Sequence, residues 1–119
     1  MSVTYLSGRG GRLDITLDGL IFRRTQHDAA RLGTAAVHTV DWDDVLGAEI
    51  QTTGKGRAVV RVAVLGATAT GPHRDDPYAL KAQRGESERA RELADRINEE
   101  VGVRRRWRDG APAEPEPIG

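Results

Sequence analysis

Four arginines surround a tryptophan near the carboxyl end of this 119-residue chain: Arg104, Arg105, Arg106, Trp107 and Arg108. Guanidinium groups pair with phosphates, and an indole ring stacks on bases or sits at a lipid interface. One interpretation is therefore a peripheral membrane or nucleic-acid binder that acts through this basic segment. The other is a frayed helix end whose tryptophan folds back on the domain, with nearby acidic residues partly neutralising the charge.

Two groups of side chains have the chemistry of cation ligands. His73, Asp75 and Asp76 are close together in the sequence, and three carboxylates lie within Asp41–Asp44. Carboxylates and imidazoles bind divalent ions, but such segments are more often solvated loops or turns in which an aspartate caps the backbone. We therefore expect no metal site and no cofactor.

The residues that could support catalysis lack the required surroundings. No serine lies in a Gly-x-Ser-x-Gly elbow. The glycine-rich Gly8–Gly11 has no Gly-Lys-Ser/Thr sequence after it and reads as a turn. The segment Gly54–Arg57 is first a hairpin loop and second an anion site. We expect no catalytic residues and interpret the protein as a non-enzymatic protein-interaction or ligand-binding module.

Composition narrows the class of protein further. Eighteen Lys and Arg residues balance eighteen Asp and Glu residues, so no net charge draws the whole molecule to nucleic acid. The chain has no cysteine, which excludes disulfides and thiolate ligands. No apolar run approaches the roughly 20 residues that span a bilayer. We expect a cytoplasmic protein with one domain over residues 1–102 and a disordered Arg/Trp and Pro/Glu-rich tail over 103–119.

Most of the chain shows the period-2 alternation of β-strands. The clearest example is residues 12–17, followed by Asp18-Gly19, a pair that suits a type I′ turn. Residues 26–34 read as a loop, and Trp42 and Val45 as the buried anchors of a tight turn. Further strands are predicted at 20–24, 35–40, 46–53, 57–65 and 78–83.

The period changes to that of a helix over residues 86–101. One stripe contains Ala90, Leu93, Ala94, Ile97 and Val101. Acidic residues in the first turn suit the helix dipole, and Gly102 stands where a helix-terminating glycine is expected. The stripe predicts a helix that docks on the sheet. The fold class is therefore mainly β with one C-terminal α-helix.

The order of these elements resembles bacterial pleckstrin-homology-like (PH-like) domains, in particular actinobacterial families of unknown function. Residues 10–13 leading into 17–21, the segment 40–45 and the segment 76–80 carry the resemblance, which covers about residues 3–102. It implies an antiparallel, partly open barrel of six or seven strands closed by the helix. Such domains bind peptides, proteins or lipid headgroups.

The first hairpin departs from one branch of these domains. Members that bind phosphoinositides carry a Lys/Arg-rich motif around it, whereas here its predicted turn is the short, acidic Asp18-Gly19. The departure argues against a phosphoinositide ligand.

Strand counting predicts that charge is segregated between the two ends of the domain. In a meander, alternate connections lie at opposite ends, so the Asp18 turn, the Asp41–Asp44 turn and Asp75-Asp76 should share one end. The other end should carry a candidate ligand-binding set: Arg23, Arg24, Arg31, Lys55 and Arg57. We expect it to bind another protein or an anionic peptide, with further copies of this chain included among the partners. The alternative is that the charges are segregated by chance.

Overall fold

A computed structural model describes residues 3–67 and 71–108, which form seven strands and two α-helices. The strands are β1 Tyr5–Gly8, β2 Gly11–Ile15, β3 Gly19–Arg24, β4 Val37–Asp41, β5 Val45–Thr52, β6 Ala58–Val64 and β7 Ala79–Lys81. The helices are α1 Gln26–Leu32 and α2 Ser87–Arg108, and short 3-10 turns occupy Trp42–Asp44 and His73–Asp75.

The strands form two antiparallel sheets, ordered β1-β2-β3-β4 and β5-β6-β7. The sheets meet where Gly8 bridges Ala82 and the Arg9 amide donates to the Lys81 carbonyl oxygen at 3.0 Å. Gly8 permits this approach, because a Cβ built there would lie 2.5 Å from Leu80 Cγ and from the Lys81 oxygen. The sheets do not close into a barrel. The predicted fold class, mainly β and partly open with a C-terminal helix, is confirmed.

The core lies between the sheets and under α2. Alternating apolar residues of the strands fill it, as the period-2 pattern predicts, and the predicted stripe of α2 is buried in full. Trp42 and Val45 are buried as well. The side-chain amide of Asn98 pairs with both backbone groups of Ala48 at 2.8 Å, which fixes α2 on β5. The helix is therefore docked on the sheet, as predicted.

The predicted end of this helix is wrong. Gly102 lies inside α2, which continues to Arg108. An interior glycine costs a helix roughly 1 kcal/mol, and contacts of Arg104 offset that cost. Its guanidinium donates to the Leu17 carbonyl oxygen at 3.0 Å and lies 5.3 Å from the Trp42 ring centroid. Residues 109–119 of the predicted tail lie outside the described residues.

The loop predicted at 26–34 is also wrong, since it contains α1. Thr25 caps this helix by accepting a hydrogen bond from the Asp28 amide, and Gly33 ends it with a left-handed φ of 73°. These are the usual start and stop signals of a short helix. The sequence reading missed them because seven residues show too little periodicity.

The turn between β2 and β3 differs from the predicted Asp18-Gly19 turn. The strand β2 ends at Ile15, and the turn contains Thr16, Leu17 and Asp18 rather than the pair Asp18-Gly19. The Thr16 amide and hydroxyl both donate to the Gly19 carbonyl oxygen, which closes the longer turn. Leu17 therefore lies in this turn and not in the strand predicted for residues 12–17, and it is 84% exposed.

Candidate functional site

Two adjoining cavities open at the end of the domain where the two sheets meet. The first, of about 430 Å³, is lined by Arg9, Arg24, Asp28, Arg31, Leu32, His73, Arg74, Asp76, Ala79 and Lys81. The second, of about 940 Å³, is lined by Arg9, Thr53, Gly54, Lys55, Gly56, Arg57, His73, Arg74, Lys81, Arg84, Gly85 and Ser87. We call the first the mixed cavity, because carboxylates line it, and the second the basic cavity, because no carboxylate of the described residues lines it.

Arg24 and Arg31 line the mixed cavity and not the basic one, and each donates at least one hydrogen bond to a backbone carbonyl oxygen. Arg24 donates to the carbonyl oxygens of Pro77 and Ala79 at 2.9 and 2.6 Å. Burial lowers the pKa of Arg24, and the carboxylates of Asp28 and Asp76 oppose that shift. This guanidinium therefore ties β3 to the segment before β7.

Arg31, on α1, has partners of its own. It donates to the Arg74 carbonyl oxygen at 2.7 Å and lies 3.5 Å from the Asp28 carboxylate and 3.9 Å from that of Asp75. These contacts fasten α1 to the loop before β7. The carboxylates of Asp28 and Asp76 thus offset part of the positive charge of the mixed cavity, whose walls contain five cationic side chains of the described residues.

The basic cavity is different. Of its cations, Arg57 is held by two bonds to the Ala82 carbonyl oxygen, at 3.0 and 2.7 Å. Five further side chains have no hydrogen-bond or ion-pair partner among the described residues: Arg9, Lys55, Arg74, Lys81 and Arg84. Their charges face one cavity without compensation.

The electrostatics of Lys81 reflect this excess of positive charge. Burial lowers the pKa of Lys81, and the positive charges of Arg9, Arg57 and Lys55 lower it further. Within the described residues, no carboxylate is among the largest influences on this pKa. A bound anion would relieve this repulsion, since an opposite charge nearby favours the charged form of the amine.

His73, in the wall shared by both cavities, experiences the same field. Burial lowers the pKa of His73 first, and Lys81, Arg61 and Arg74 add to that shift. The free protein therefore favours the neutral imidazole more than an isolated histidine does. The ring can accept a proton when an anion arrives.

A buried ion pair holds the loop that carries His73 and Arg74. Arg61 Nε donates to Asp76 Oδ2 at 2.8 Å, and both side chains are less than a tenth exposed. Arg61 also donates to the Gly71 carbonyl oxygen, while Asp76 Oδ1 accepts from the Tyr78 amide. Every strong bond of this pair is internal to the fold, so it positions the cavity wall.

Glycines shape the opposite wall. Gly56 and Gly85 have φ values of 81° and 86°, and a Cβ added at either would meet nothing within 4 Å. Their left-handed conformations are the reason for glycine there. Small residues leave the backbone of both loops open to a ligand.

The structure brings together four of the five predicted ligand residues. Arg24 and Arg31 line the mixed cavity, whereas Lys55 and Arg57 line the basic one. Arg23 lies elsewhere, on the outer face of the first sheet, where its guanidinium is 3.1 Å from the Asp14 carboxylate. Its sequence neighbour Arg24 points inward because adjacent strand residues face opposite sides.

Sequence reasoning missed three residues of the shared wall: Lys81, His73 and Arg74. No local signal marks them. Lys81 enters the site through the contact of β7 with β1, a pairing between chain segments more than 70 residues apart. Strand order alone does not give that contact.

The prediction that Asp75 and Asp76 lie at the acidic end is wrong. Asp76 lines the mixed cavity and Asp75 approaches Arg31, because the connection after β6 returns to the basic end before β7 begins. The turns at Asp18 and at 41–44 do lie at the opposite end of the strands. Charge segregation is therefore present in part.

The candidate cation ligands have structural roles. Asp41 Oδ1 accepts a hydrogen bond from the Asp43 amide at 2.9 Å and caps the 3-10 turn. Within residues 3–67 and 71–108, no group of three or more His, Asp or Glu side chains is arranged to hold a metal ion.

The Arg/Trp segment forms the projecting end of α2. Arg104 is occupied by Leu17, Glu100 and Trp42, while Arg105 and Arg106 are exposed. Trp107 is 70% exposed, so it does not fold back on the domain as one interpretation of the sequence required. The side chain of Arg108 lies outside the described residues.

Comparison with known proteins gives no family. No protein-family model matches the sequence, and searches of curated proteins and of solved structures found no match. The PH-like resemblance therefore stays a prediction. In the part of the chain that the structure describes, no helix has the length and apolarity to cross a membrane.

Proposed function

We propose that this protein is a non-enzymatic binding module that holds an anionic segment of a protein partner in the basic cavity. The observation that carries the proposal is the set of five cationic side chains without partners around one cavity that no carboxylate lines. A concave site of one charge sign concentrates ligands of the opposite sign. The PH-like order of elements fits the proposal, because domains of that kind bind peptides.

The surroundings of the cavity favour a polypeptide over a membrane surface. Among the described residues, the exposed large apolar side chains are Leu17, Val37, Leu46, Leu65 and Trp107, and none of them lines either cavity. A peripheral membrane site usually combines basic residues with apolar ones that insert. We propose the cytoplasm as the place of this binding.

Binding also fits the cavity better than catalysis does. The hydroxyl groups available are those of Thr53 and Ser87, and Thr53 Oγ1 already accepts a hydrogen bond from the Arg57 amide. Neither hydroxyl is hydrogen-bonded to His73 in the described structure. An activated nucleophile needs such a base beside it.

A second candidate function follows from the exposure of Trp107 beside Arg105 and Arg106. That end of α2 could contact a nucleic acid or an anionic membrane. Its Arg pair provides a matched control for the basic cavity, because replacing either pair removes two positive charges.

Binding of a fluorescein-labelled hexaglutamate peptide, measured by fluorescence anisotropy, tests the proposal. We expect the Lys55→Ser/Lys81→Ser variant to lose about tenfold or more in affinity, because two charged contacts disappear. The Arg105→Ser/Arg106→Ser variant should bind as the unmodified protein does. Loss in the helix variant instead, or no binding at low salt, would contradict the proposal.

A further inference from the structure

We infer that the basic cavity is a phosphate subsite, and that the anionic segment it takes is a phosphorylated polypeptide. The inference rests on the proposed function and narrows its ligand class. Its basis is the contrast between the two cavities: two carboxylates stand among the cations of the mixed cavity, whereas the basic cavity combines six cationic side chains with no carboxylate of the described residues.

The six cationic side chains of the basic cavity carry more positive charge than one ligand carboxylate can neutralise. Lys81 lies close enough to Arg9, Arg57 and Lys55 for all three to lower its pKa. A phosphomonoester brings nearly two negative charges and three acceptor oxygens in one compact group. Arginine forks pair with two of those oxygens at once, and an ammonium group provides point charge.

The loops around the cavity permit close approach by such a group. Gly54, Gly56 and Gly85 line it beside Lys55 and Arg84. A phosphate can contact the chain directly where no Cβ stands in the way. The glycines thus serve the same group that the cations attract.

The mixed cavity favours a polypeptide as the carrier of the phosphate. It shares Arg9, His73, Arg74 and Lys81 with the basic cavity, so a ligand can extend from one cavity into the other. There Asp28 and Asp76 stand among five cationic side chains, so the surface stays basic. A polypeptide is long enough to extend through both cavities, and among the described residues no exposed large apolar side chain lines either cavity and could insert into a membrane.

Nucleic acid fits the site less well. Apart from His73, no aromatic side chain in the described part of the chain lines either cavity. Single-stranded nucleic acids gain about 1–3 kcal/mol per base by stacking on aromatic rings. The exposed Trp107 is at the far end of α2 and cannot serve this site.

Three fluorescein-labelled pools of degenerate eleven-residue peptides test the inference by fluorescence anisotropy. Their central position holds phosphoserine, serine or a pair of glutamates with a similar charge. We expect the phosphoserine pool to bind about tenfold more tightly than the diglutamate pool, because the phosphate oxygens share one centre. The serine pool should bind most weakly.

The variants identify the cavity. Lys55→Ser/Lys81→Ser should abolish the preference for phosphoserine over diglutamate, and Arg105→Ser/Arg106→Ser should retain it. Both variants should keep the thermal unfolding midpoint of the unmodified protein, since none of the four side chains makes a hydrogen bond or ion pair with the described residues.

Three results would overturn the inference. Equal affinity for the phosphoserine and diglutamate pools would leave a charge-selective module with no phosphate subsite, so the proposed function would survive. Tighter binding to vesicles that contain a phosphorylated phosphatidylinositol than to the phosphoserine pool would assign the cavity to a lipid. Failure of all three pools and of hexaglutamate to bind would end both proposals.

Discussion

Arg24 of the mixed cavity and Lys81, which lines both cavities, are cations whose pKa burial lowers, although Lys81 is much the less buried of the two. Their neighbours differ. Around Arg24, two carboxylates oppose the effect of burial while Arg31 adds to it, and two carbonyl oxygens accept its hydrogen bonds. Around Lys81, three further cations add to it. The protein thus uses some of its basic residues to hold loops in place and leaves others available to a ligand.

The two kinds of cation differ in the free energy that it costs the fold to leave them without a partner. A buried charge is tolerated when it is paired and hydrogen-bonded, as Arg61 is with Asp76. A cluster of exposed like charges destabilises the fold only mildly, because water screens it. Unpaired cations can therefore persist at the cavity rim.

The largest effect that separates the two kinds of cation should come from the buried pair. Arg61→Met leaves the Asp76 carboxylate buried without its partner, and we expect a loss of about 3–5 kcal/mol in the free energy of unfolding. Arg12→Met, which removes an exposed ion pair with Asp14, should cost about 0–1 kcal/mol. Urea unfolding measures both, and similar costs for the two variants would invalidate the distinction.

A smaller change of opposite sign in the free energy of unfolding is expected when Lys81 is replaced. Its lowered pKa means that the ammonium form is less favourable in the folded state than in the unfolded chain. That cost is present at neutral pH and disappears as the pH rises from the folded-state pKa toward the unfolded value. Lys81→Met should therefore leave stability at pH 7 unchanged or raise it slightly, because solvent screens the repulsion.

The gain from Lys81→Met should shrink in alkaline solution. Urea unfolding of both proteins at pH 7 and above the ordinary lysine pKa of 10.5 follows it, with Lys55→Met as a matched control that removes one of the same repulsive neighbours. A loss of stability at pH 7 would mean that Lys81 holds the fold together.

The smallest effect is a protonation change at His73. We expect its pKa in the free protein to lie below the ordinary 6.5 and to rise when the phosphoserine pool binds, since the ligand offsets the field of Lys81 and Arg74. The bound state then holds more protons, so this residue strengthens binding as pH falls through the interval between the two values. NMR titration of the imidazole measures both pKa values, and an unchanged pKa would place the ligand away from the shared wall.

The sequence predicted much of the architecture because its signals are local. The stripe ending at Val101 and the alternation in β2, β5 and β6 depend on residues a few positions apart. The short helix α1 escaped detection because capping by Thr25 and Gly33 defines it better than any apolar stripe. The helix end was misplaced because contacts of Arg104 with distant residues outweigh the glycine preference at Gly102.

The site was harder to predict for a related reason. In a meander, alternate connections lie at opposite ends, so the order of strands was enough to predict that one end carries Arg24, Arg31, Lys55 and Arg57. It could not place Lys81, whose position depends on the long-range contact between β7 and β1. Nor could it separate cations held by carbonyl oxygens from those left without a partner.

The junction between β1 and β7 is narrow: within the described residues it consists of the Gly8–Ala82 bridge and the bond from the Arg9 amide to Lys81. Backbone links of this size open locally at a fraction of the free energy needed for global unfolding. Arg9 and Lys81 stand on opposite sides of that junction, and both line the two cavities. A ligand that contacts both residues would link the two sheets. A bound ligand would therefore suppress local opening of the domain at this junction.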